Sequence, residues 1–145
     1  PTVMSGYWNK PEMTAEVLKD GVLRTGDLGY MDDEGYFYIV DRAKSMYRSG
    51  GENVYPAEIE KILMEHPKIQ NVAIVGVPDE KWGETGKVFV VPEDGESVSL
   101  EEIREFLAGK VAKYKYPTAL DLLDEMPMTA SGKIRKSALT AGKKA

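Results

Sequence analysis

The pattern of hydrophobic and polar positions along the chain changes near residue 56. Over Pro56–Glu65, apolar residues recur at helical spacing, and Pro67 is expected to close this helix. Further along, the apolar residues gather in short runs bounded by polar and turn residues, which is typical of strands. These runs predict strands at Asn71–Val77, Lys87–Val91 and Ala119–Leu123.

A second helix is predicted after residue 99. Ser99 and Glu102 form a capping-box pair, in which each side chain satisfies the backbone amide of the other residue. The apolar residues Leu100, Ile103, Phe106 and Leu107 share one face of this helix. The segments PDEKWGETG and EMPMTASGK are predicted as loops, the first joining two strands and the second following the third. Two helices and about three strands together predict a compact α+β layer.

The first forty residues have a different pattern, with frequent turns and little apolar periodicity. A short helix is predicted over Pro11–Lys19, and Gly21 is placed to end it. A turn is predicted at Asp32–Gly35, followed by a strand over the run YFYIV. These elements have little core of their own, so we expect a domain boundary within Arg42–Ser45.

Composition narrows the possible chemistry. The 145 residues include no cysteine and a single histidine, His66, which excludes disulfides, thiolate chemistry and multi-histidine metal clusters; no metal site is predicted. The net charge of -5 argues against a nucleic-acid partner. Because no apolar run reaches membrane-spanning length and no signal-peptide pattern occurs, a soluble, cytoplasmic protein is expected. The basic residues past Ser137 are expected to form a solvated, frayed tail.

The segment DRAKSMYRSGGENVYPAEIE, residues 41–60, concentrates basic side chains around a pair of glycines. Gly50 and Gly51 permit backbone conformations closed to other residues and let a ligand approach the main chain. Arg42, Lys44 and Arg48 carry charges suited to phosphate. Two interpretations remain open for this segment: an anion-facing loop, or a surface turn between two strands.

Other positions could also take part in chemistry. Asp27 follows a predicted strand in the motif TGD and could accept hydrogen bonds from a ribose diol, although such a residue could also satisfy its own backbone. Arg42 could serve the same sugar or pair with a neighbouring acid. Lys133, in the motif SGK, could meet a phosphoryl or carboxylate oxygen, or be an ordinary exposed lysine. Trp82 is predicted to be a packing anchor.

The motifs are far more specific together than singly. In order along the chain they read GYWNKPEMTAEV, RTGDLGYMDDEGYFYIVDRAKSM, SGGENVYPAEIE, GVPDEKWGE, KYKYP and MPMTASGKIRK. This order resembles the C-terminal end of the adenylate-forming (AMP-binding) superfamily, which includes acyl-CoA synthetases, firefly luciferase and the adenylation domains of peptide synthetases. The SGGEN and PAEIE motifs are most similar to those of acyl-CoA and aryl-CoA ligases.

The resemblance implies a role for each candidate residue. Asp27 would bind the ribose hydroxyls of the nucleotide with help from Arg42, and Lys44 would be the hinge. Lys133 would be the catalytic lysine, stabilising the negative charge of the α-phosphoryl group and of the attacking carboxylate. After a reorientation, another set of residues would face the adenylate and the pantetheine arm of CoA; these are Arg48, Gly50, Gly51 and Asn53.

The resemblance also implies the reaction and the partners. A carboxylic acid, ATP and CoA would give acyl-CoA, AMP and pyrophosphate, with Mg²⁺ accompanying ATP, as in fatty acid metabolism. Residues 1–42 would be the last segment of a larger N-terminal adenylating domain. Residues 43–145 would be a small lid domain, with a three-stranded sheet packed by helices and a short β-hairpin.

The sequence contains no glycine-rich phosphate loop and no acyl pocket, so the chain is expected to be inactive without its own N-terminal domain. Two other functions stay open. The first is a domain of a luciferase-like or carrier-protein-dependent adenylating enzyme. The second is a non-catalytic module that binds an anionic partner.

Overall fold

The computed structural model of the protein describes residues 2–140 and separates the chain into two compact units. The division falls between Lys44 and Ser45, inside the range where the sequence places a boundary. Among the described residues, no helix is both long enough and apolar enough to cross a membrane.

The first unit contains one short helix and two small antiparallel hairpins. Pro11 starts the helix, as predicted. None of residues 2–44 is fully buried, which agrees with the small number of core-forming positions in this part of the sequence. The elements are α1 (Pro11–Val17), β1 (Leu18–Lys19), β2 (Val22–Leu23), β3 (Asp27–Met31) and β4 (Phe37–Arg42), with β1 paired to β2 and β3 paired to β4.

The end of the first helix differs from the prediction. The helix stops at Val17, and Leu18 and Lys19 form a strand instead of the last helical turn. Asp20 and Gly21 have φ angles of 52° and 76°, the combination required by a two-residue hairpin turn. Asp20 and Gly21 therefore form the turn of a hairpin between β1 and β2, and the prediction that Gly21 ends the helix is wrong.

The turn predicted at Asp32–Gly35 is present. The Gly35 amide donates to the Asp32 carbonyl at 3.0 Å, and the Asp32 carboxylate accepts from the amides of Glu34 and Tyr36. The backbone hydrogen bond from Tyr36 is the main cause of a lowered pKa at Asp32. The strand predicted over YFYIV is β4, which continues to Arg42.

The second unit is an α+β domain, and the predicted fold class is confirmed. The 3₁₀ turn Lys113–Lys115 precedes the last strand. The elements are β5 (Tyr47–Ser49), β6 (Glu52–Val54), α2 (Pro56–Leu63), β7 (Ile69–Asp79), β8 (Gly83–Pro92), α3 (Leu100–Leu107), β9 (Ala119–Leu122) and α4 (Lys136–Thr140). Within the described residues, the sheet of this unit has five strands instead of the predicted three, because the short β5–β6 hairpin joins the same sheet, in the order β6-β5-β8-β7 with β9 also paired to β8.

Strand β8 organises the sheet. It pairs antiparallel with β7 along one edge. Along its other edge it meets β5 at Gly83 and pairs in parallel with β9 over Lys87–Val90. The long β7–β8 hairpin is connected by residues 80–82 alone, so the prediction of a loop over the whole of PDEKWGETG is wrong. The end of this segment is polar or glycine and therefore does not have the pattern of a strand, yet Thr85 pairs with Val77 and Gly86 pairs with Gly76.

The sheet buries apolar side chains on both faces, because successive residues of a strand point to opposite sides. Val72 and Ile74 of β7 lie in the first core, together with Val88 and Val90 of β8. Helices α2 and α3 complete this core with Ile59, Leu63, Ile103 and Leu107. The second core contains Ala73, Val75, Phe89, Val91 and Met126, and Ile134 and Leu139 pack against it.

The boundaries of the helices in this unit follow local hydrogen bonds. Ser99 Oγ accepts from the Glu102 amide at 3.1 Å, and the Glu102 carboxylate accepts from the Ser99 amide at 2.8 Å, so the predicted capping box is present. Helix α2 starts at Pro56 as predicted. It ends at Leu63, before the predicted Glu65, because the last turn tightens into bonds between residues three apart.

The predicted tail past Ser137 is wrong for its first residues. Ser137 lies within α4, which continues to Thr140, and Leu139 packs against the second core. Leu139, the second residue of the predicted tail, gives this helix an apolar contact with the core, which a solvated tail would lack. The remainder of that prediction, at residues 141–145, lies outside the described residues.

Candidate functional site

Asp27 and Arg42, both predicted to bind a nucleotide, are direct cross-strand partners. Asp27 opens β3, and so starts a strand instead of following one, and it faces Arg42 at the end of β4. Arg42 Nε lies 2.9 Å from Asp27 Oδ1, and Arg42 Nη1 donates to the Thr25 carbonyl at 3.1 Å. The Asp27 side chain is 33% exposed and the Arg42 side chain is 65% exposed. An ion pair this exposed adds little stability, so its main effect is to present a carboxylate beside a guanidinium.

Lys44, the predicted hinge, is an exposed residue in the turn over residues 43–45. On one side of it, the Ala43 amide donates to the Gly26 carbonyl at 2.8 Å and is held within the first unit. On the other side, Tyr47 is buried in the second unit. Lys44 therefore stands in the short stretch between two anchored residues, where a few dihedral angles can absorb a change of conformation.

The residues predicted to face CoA lie on one hairpin, formed by β5 and β6. Gly50 and Gly51 have φ angles of 59° and 90° and form its two-residue turn. Arg48 and Asn53 are cross-strand partners below this turn. The Arg48 guanidinium donates to the Gly51 carbonyl at 3.0 Å, so the basic side chain lies along the turn. The surface-turn and anion-facing interpretations of the sequence are thus compatible: the segment is a hairpin turn that carries an exposed guanidinium.

Trp82 forms one wall of a cleft beside this hairpin. The Gly50 amide donates to the Trp82 carbonyl at 2.9 Å, and a Cβ at Gly50 would lie 2.9 Å from the indole ring. Trp82 is 46% exposed, so it combines the predicted packing role with indole surface that is accessible to a ligand, and the Lys81 ammonium lies 4.7 Å from the centre of its ring. The cleft has a volume of about 230 Å³ and is lined by Ser49, Trp82, Thr85, Lys113, Tyr114, Tyr116 and Thr118.

The KYKYP side chains that line this cleft have no role in the sequence-based prediction, although KYKYP is one of the motifs quoted above. The segment is held in place by Lys115, whose ammonium contacts both carboxylate oxygens of Glu58 at 2.7 and 2.8 Å. Arg104 Nε also donates to the Pro117 carbonyl at 3.0 Å. Within KYKYP, Lys113, Tyr114 and Tyr116 line the cleft while Lys115 turns to α2, and the concentration of aromatic and basic residues in this motif is the signal that could have identified the cleft.

Lys133 stands near the tip of a tight loop closed by a bridge between Met128 and Ile134. Its carbonyl accepts from the Thr129 amide at 2.7 Å, and its amide donates to Thr129 Oγ1 at 3.1 Å. Gly132, with a φ angle of 75°, makes the turn. The Lys133 backbone is therefore fixed while its side chain is exposed, and no ion pair to it occurs among the described residues.

The structure thus places the predicted residues in separate groups. Asp27 and Arg42 form a pair in the first unit, and Lys44 lies at the division between the units. In the second unit, the glycine hairpin and the Lys133 loop are distinct loops. Within residues 2–140, no group of three or more acidic or histidine side chains is arranged to hold a metal ion.

Comparison with known proteins shows what the chain is similar to. A feruloyl-CoA synthase of Amycolatopsis sp is 49% identical over 94% of the chain, and a long-chain-fatty-acid–CoA ligase of Bacillus subtilis is 52% identical over 96%. The chain spans 28% and 25% of the length of these two curated relatives.

Solved structures agree with these sequence relationships. The o-succinylbenzoate CoA synthetase of Bacillus subtilis, in complex with its acyl-adenylate intermediate, matches 99% of the chain with a TM-score of 0.88 and 37% identity. The chain covers 29% of that protein. The profile of the AMP-binding enzyme C-terminal domain matches residues 58–133, which is more than half of the sequence. The chain therefore belongs to the AMP-binding enzyme C-terminal domain family.

Proposed function

We propose that the chain is the C-terminal part of an ATP-dependent acyl-CoA synthetase, which converts a carboxylic acid, ATP and CoA to acyl-CoA, AMP and pyrophosphate. The observation that carries this proposal is the match of nearly the whole chain to proteins named as CoA ligases and CoA synthases, at up to 52% identity. Because the chain spans about a quarter of those proteins, it would supply loops to a reaction centre that lies largely outside it.

The first unit would be the last segment of the N-terminal adenylating domain. Its β3–β4 hairpin exposes large apolar side chains, among them Phe37 at 79% and Ile39 at 70%. Contiguous exposed apolar side chains mark surfaces that are covered in the functional protein. The division after Lys44 supports a domain border close to the predicted residue 42.

The Asp27–Arg42 pair suits the nucleotide. A carboxylate can accept hydrogen bonds from the hydroxyls of a ribose, as an acidic residue does in dinucleotide-binding sites. Arg42 holds Oδ1 of Asp27 through its Nε atom, which fixes the direction of the carboxylate. Arg42 would therefore position Asp27 while contributing positive charge near the phosphates.

Lys133 would act in the first half-reaction. Negative charge grows on the α-phosphoryl oxygens as the carboxylate attacks, and an ammonium held by a rigid loop stabilises that charge without reorganisation. The exposed side chain on the Thr129–Lys133 turn meets this requirement. Mg²⁺ would accompany ATP and be held by the N-terminal domain, and the reaction would take place in the cytoplasm.

The glycine hairpin and the neighbouring cleft would act in the second half-reaction. The bare backbone at Gly51, which has no atom within 4 Å of an added Cβ, permits close approach of the thin pantetheine arm, and the missing Cβ of Gly50 leaves room for the Trp82 ring. Trp82 and Tyr114 offer aromatic faces to a purine, and Lys113 and Arg48 offer charge to phosphate groups. The adenine nucleotide of CoA carries both kinds of group, so the cleft extends the predicted CoA face beyond Arg48, Gly50, Gly51 and Asn53.

The decisive test is a chimera. This chain replaces the matching C-terminal segment of the Bacillus subtilis long-chain-fatty-acid–CoA ligase, to which it is 52% identical over 139 residues. We expect the chimera to form acyl-CoA from a long-chain fatty acid, ATP and free CoA. The Lys133→Ala chimera should release pyrophosphate much more slowly. A folded chimera that binds anions but performs neither half-reaction would favour the non-catalytic module instead.

The same assay separates acyl acceptors. The complete enzyme that carries this chain is given either free CoA or a phosphopantetheinylated carrier protein. Thioester formation with free CoA is the expected result. Turnover with the carrier protein alone would assign the chain to a carrier-protein-dependent adenylating enzyme.

A further inference from the structure

A polar contact near the base of the Lys133 loop joins three elements of the second unit. Glu60 of α2 accepts the backbone amide of Ile74 in β7 at 2.6 Å. The same oxygen, Oε1, lies 2.6 Å from the Nζ atom of Lys136, the first residue of α4. The Glu60 side chain is 18% exposed and that of Lys136 is 29% exposed, so water screens this pair less than an ordinary surface pair.

This contact lies at the outer edge of the sheet. Strand β8 pairs with the inner edge of β7, and Glu60 satisfies an amide on the opposite edge, which would otherwise be unpaired. Helix α2 contributes to the core on one face of the sheet, whereas Leu139 of α4 packs on the other. The Glu60–Lys136 pair therefore joins the two faces around the edge of β7.

The loop of Lys133 lies close to this join along the chain. Only two residues separate Lys133 from Lys136, and consecutive Cα atoms lie 3.8 Å apart, so a displacement of the start of α4 passes directly to the loop. Helix α4 has five residues, too few to be stable without tertiary contacts. Leu139 supplies an apolar contact and Lys136 an ionic one.

Glu60 is well suited to hold Lys136. The hydrogen bond from the Ile74 amide holds the Glu60 carboxylate in place without Lys136, so little side-chain entropy of Glu60 is lost when the ion pair forms. Two further contacts complete the base of the loop: the Arg135 amide donates to the Pro127 carbonyl at 2.7 Å, and Ile134 packs on the second core.

We propose that Glu60 and Lys136 are positioning residues for the adenylation half-reaction, and that they act by holding the base of the loop that presents Lys133. This inference rests on the proposed function for the role of Lys133. The physical part, that the pair holds the loop, depends only on the described contacts. The two parts can therefore be tested separately.

The physical part is tested in the chain itself. Lys136→Met removes the ammonium but keeps the aliphatic stem, and amide hydrogen exchange is measured at Thr129, Gly132 and Arg135, whose amides are bonded within the loop. We expect exchange at these three amides to accelerate by about tenfold, as expected for loss of local protection. Exchange at Val88 and Val90 in the sheet should not change. Unchanged exchange in the loop would overturn the proposal whatever the enzyme does.

The functional part is tested in the chimera described above. Lys136→Met should slow acyl-adenylate formation by about ten- to a hundredfold, because small displacements of a catalytic group cost rates of this order. Thioester formation from supplied acyl-adenylate and CoA should stay within about twofold. Lys136→Arg should restore most of the adenylation rate, and Glu60→Gln should weaken it while retaining an oxygen that can accept from Ile74.

Lys68→Met is the matched control, since it removes the same group from another ion pair, at 2.8 Å to Glu102. It should leave both half-reactions unchanged. Equal losses in both half-reactions for Lys136→Met would show a merely structural role and refute the inference. If Lys133→Ala itself has no effect on adenylation, the proposed function of the loop fails, while the exchange experiment still decides whether the pair holds it.

Discussion

The ring of Tyr47 lies directly against Gly86, so closely that a Cβ added to this glycine would overlap the phenol oxygen. Gly76, the cross-strand partner of Gly86, is covered in the same way by the Cβ of Tyr47. Tyr47 is the first residue of the hairpin that carries Gly50 and Gly51, and it is 3% exposed. The two glycines thus create the space in which the hairpin is fixed to the sheet.

Filling this space should destabilise the second unit in a specific way. Gly86→Ala is expected to lower the free energy of unfolding by about 1 to 3 kcal/mol, the usual cost of overpacking. Because the phenol oxygen is the nearest atom to the added methyl group, Tyr47→Phe should recover much of the loss. Urea denaturation of the two single variants and the double variant measures this coupling.

Gly76→Ala is the control, since its closest contact is the Cβ of Tyr47, which phenylalanine retains. It should be destabilising and not rescued by Tyr47→Phe. The same double-mutant measurement applied to both glycines must therefore give different coupling energies. Equal rescue at Gly76 and Gly86 would contradict this packing arrangement.

Tyr47→Phe alone should not destabilise the protein. The Tyr47 hydroxyl has no hydrogen-bond partner among the described residues, and burial, followed by the charges of Glu84 and Glu60, raises the pKa of this phenol. Removing a buried polar group that lacks a partner is expected to be neutral or to stabilise by about 1 kcal/mol. A loss of more than about 1 kcal/mol in the same denaturation experiment would reveal an interaction of the hydroxyl.

The capping box of α3 should make stability depend on pH in the acid range. The hydrogen bond from Lys68, followed by that from the Ser99 amide, lowers the pKa of Glu102 from 4.5 to about 2. A carboxylate with a lower pKa in the folded state stabilises the fold above the unfolded value of 4.5 and loses this effect as the pH falls toward 2. Glu102→Gln should therefore lower the thermal midpoint at pH 6, and the difference from the unaltered chain should shrink on acidification.

Glu101 is the matched control for Glu102. It lies one residue earlier in the same helical turn, and its side chain has no hydrogen bond or ion pair to another of the described residues. Thermal unfolding of Glu101→Gln should differ little from that of the unaltered chain between pH 6 and pH 3. A pH-independent difference for Glu102→Gln would mean that the carboxylate charge does not stabilise the cap.

Elements with a local chemical cause were predictable from the sequence. The capping box at Ser99 and the helix start at Pro56 depend on side chains within a few residues of one another. The central strands have runs of apolar residues because both faces of the sheet are covered.

Elements whose cause is distant in sequence were missed. Residues 83–86 are polar or glycine and resemble a loop, yet they form a strand that pairs with β7, and Tyr47 packs in the space beside Gly86. The Glu60–Lys136 pair joins residues far apart in the chain, and neither has an unusual local pattern. The cleft beside Trp82 likewise depends on bringing KYKYP next to the β7–β8 turn.

Lys133→Ala tests the division of labour between the two half-reactions. In the complete enzyme we expect adenylation to slow by about a hundred- to a thousandfold, the usual effect of removing one preorganised charge-stabilising group. Thioester formation from supplied acyl-adenylate should be largely retained. Pyrophosphate release and thioester formation are measured separately, and an equal loss in both would refute the role proposed for Lys133.

Lys44→Pro tests the hinge. Proline fixes φ and removes one backbone donor, so it should obstruct a change of conformation at this position. We expect at least one half-reaction to fall by about tenfold or more, whereas Lys44→Ala, which keeps the backbone free, should have a much smaller effect. Normal rates in both half-reactions for the proline variant would place the pivot elsewhere.

Gly50→Ala tests whether the hairpin and the Trp82 cleft act together. The added Cβ would lie 2.9 Å from the Trp82 ring at a φ angle of 59°, so the ring must shift or the turn must open. Displacing the ring should raise the KM for CoA by about tenfold, in line with the loss of one aromatic stacking contact, and leave acyl-adenylate formation unchanged.

Gly109→Ala is the control for backbone strain, because Gly109 has a φ angle of 76° and no atom lies within 4 Å of the added Cβ. If both variants change the KM equally, strain and not the position of Trp82 is responsible; if only Gly50→Ala does so, the indole ring is part of the CoA site.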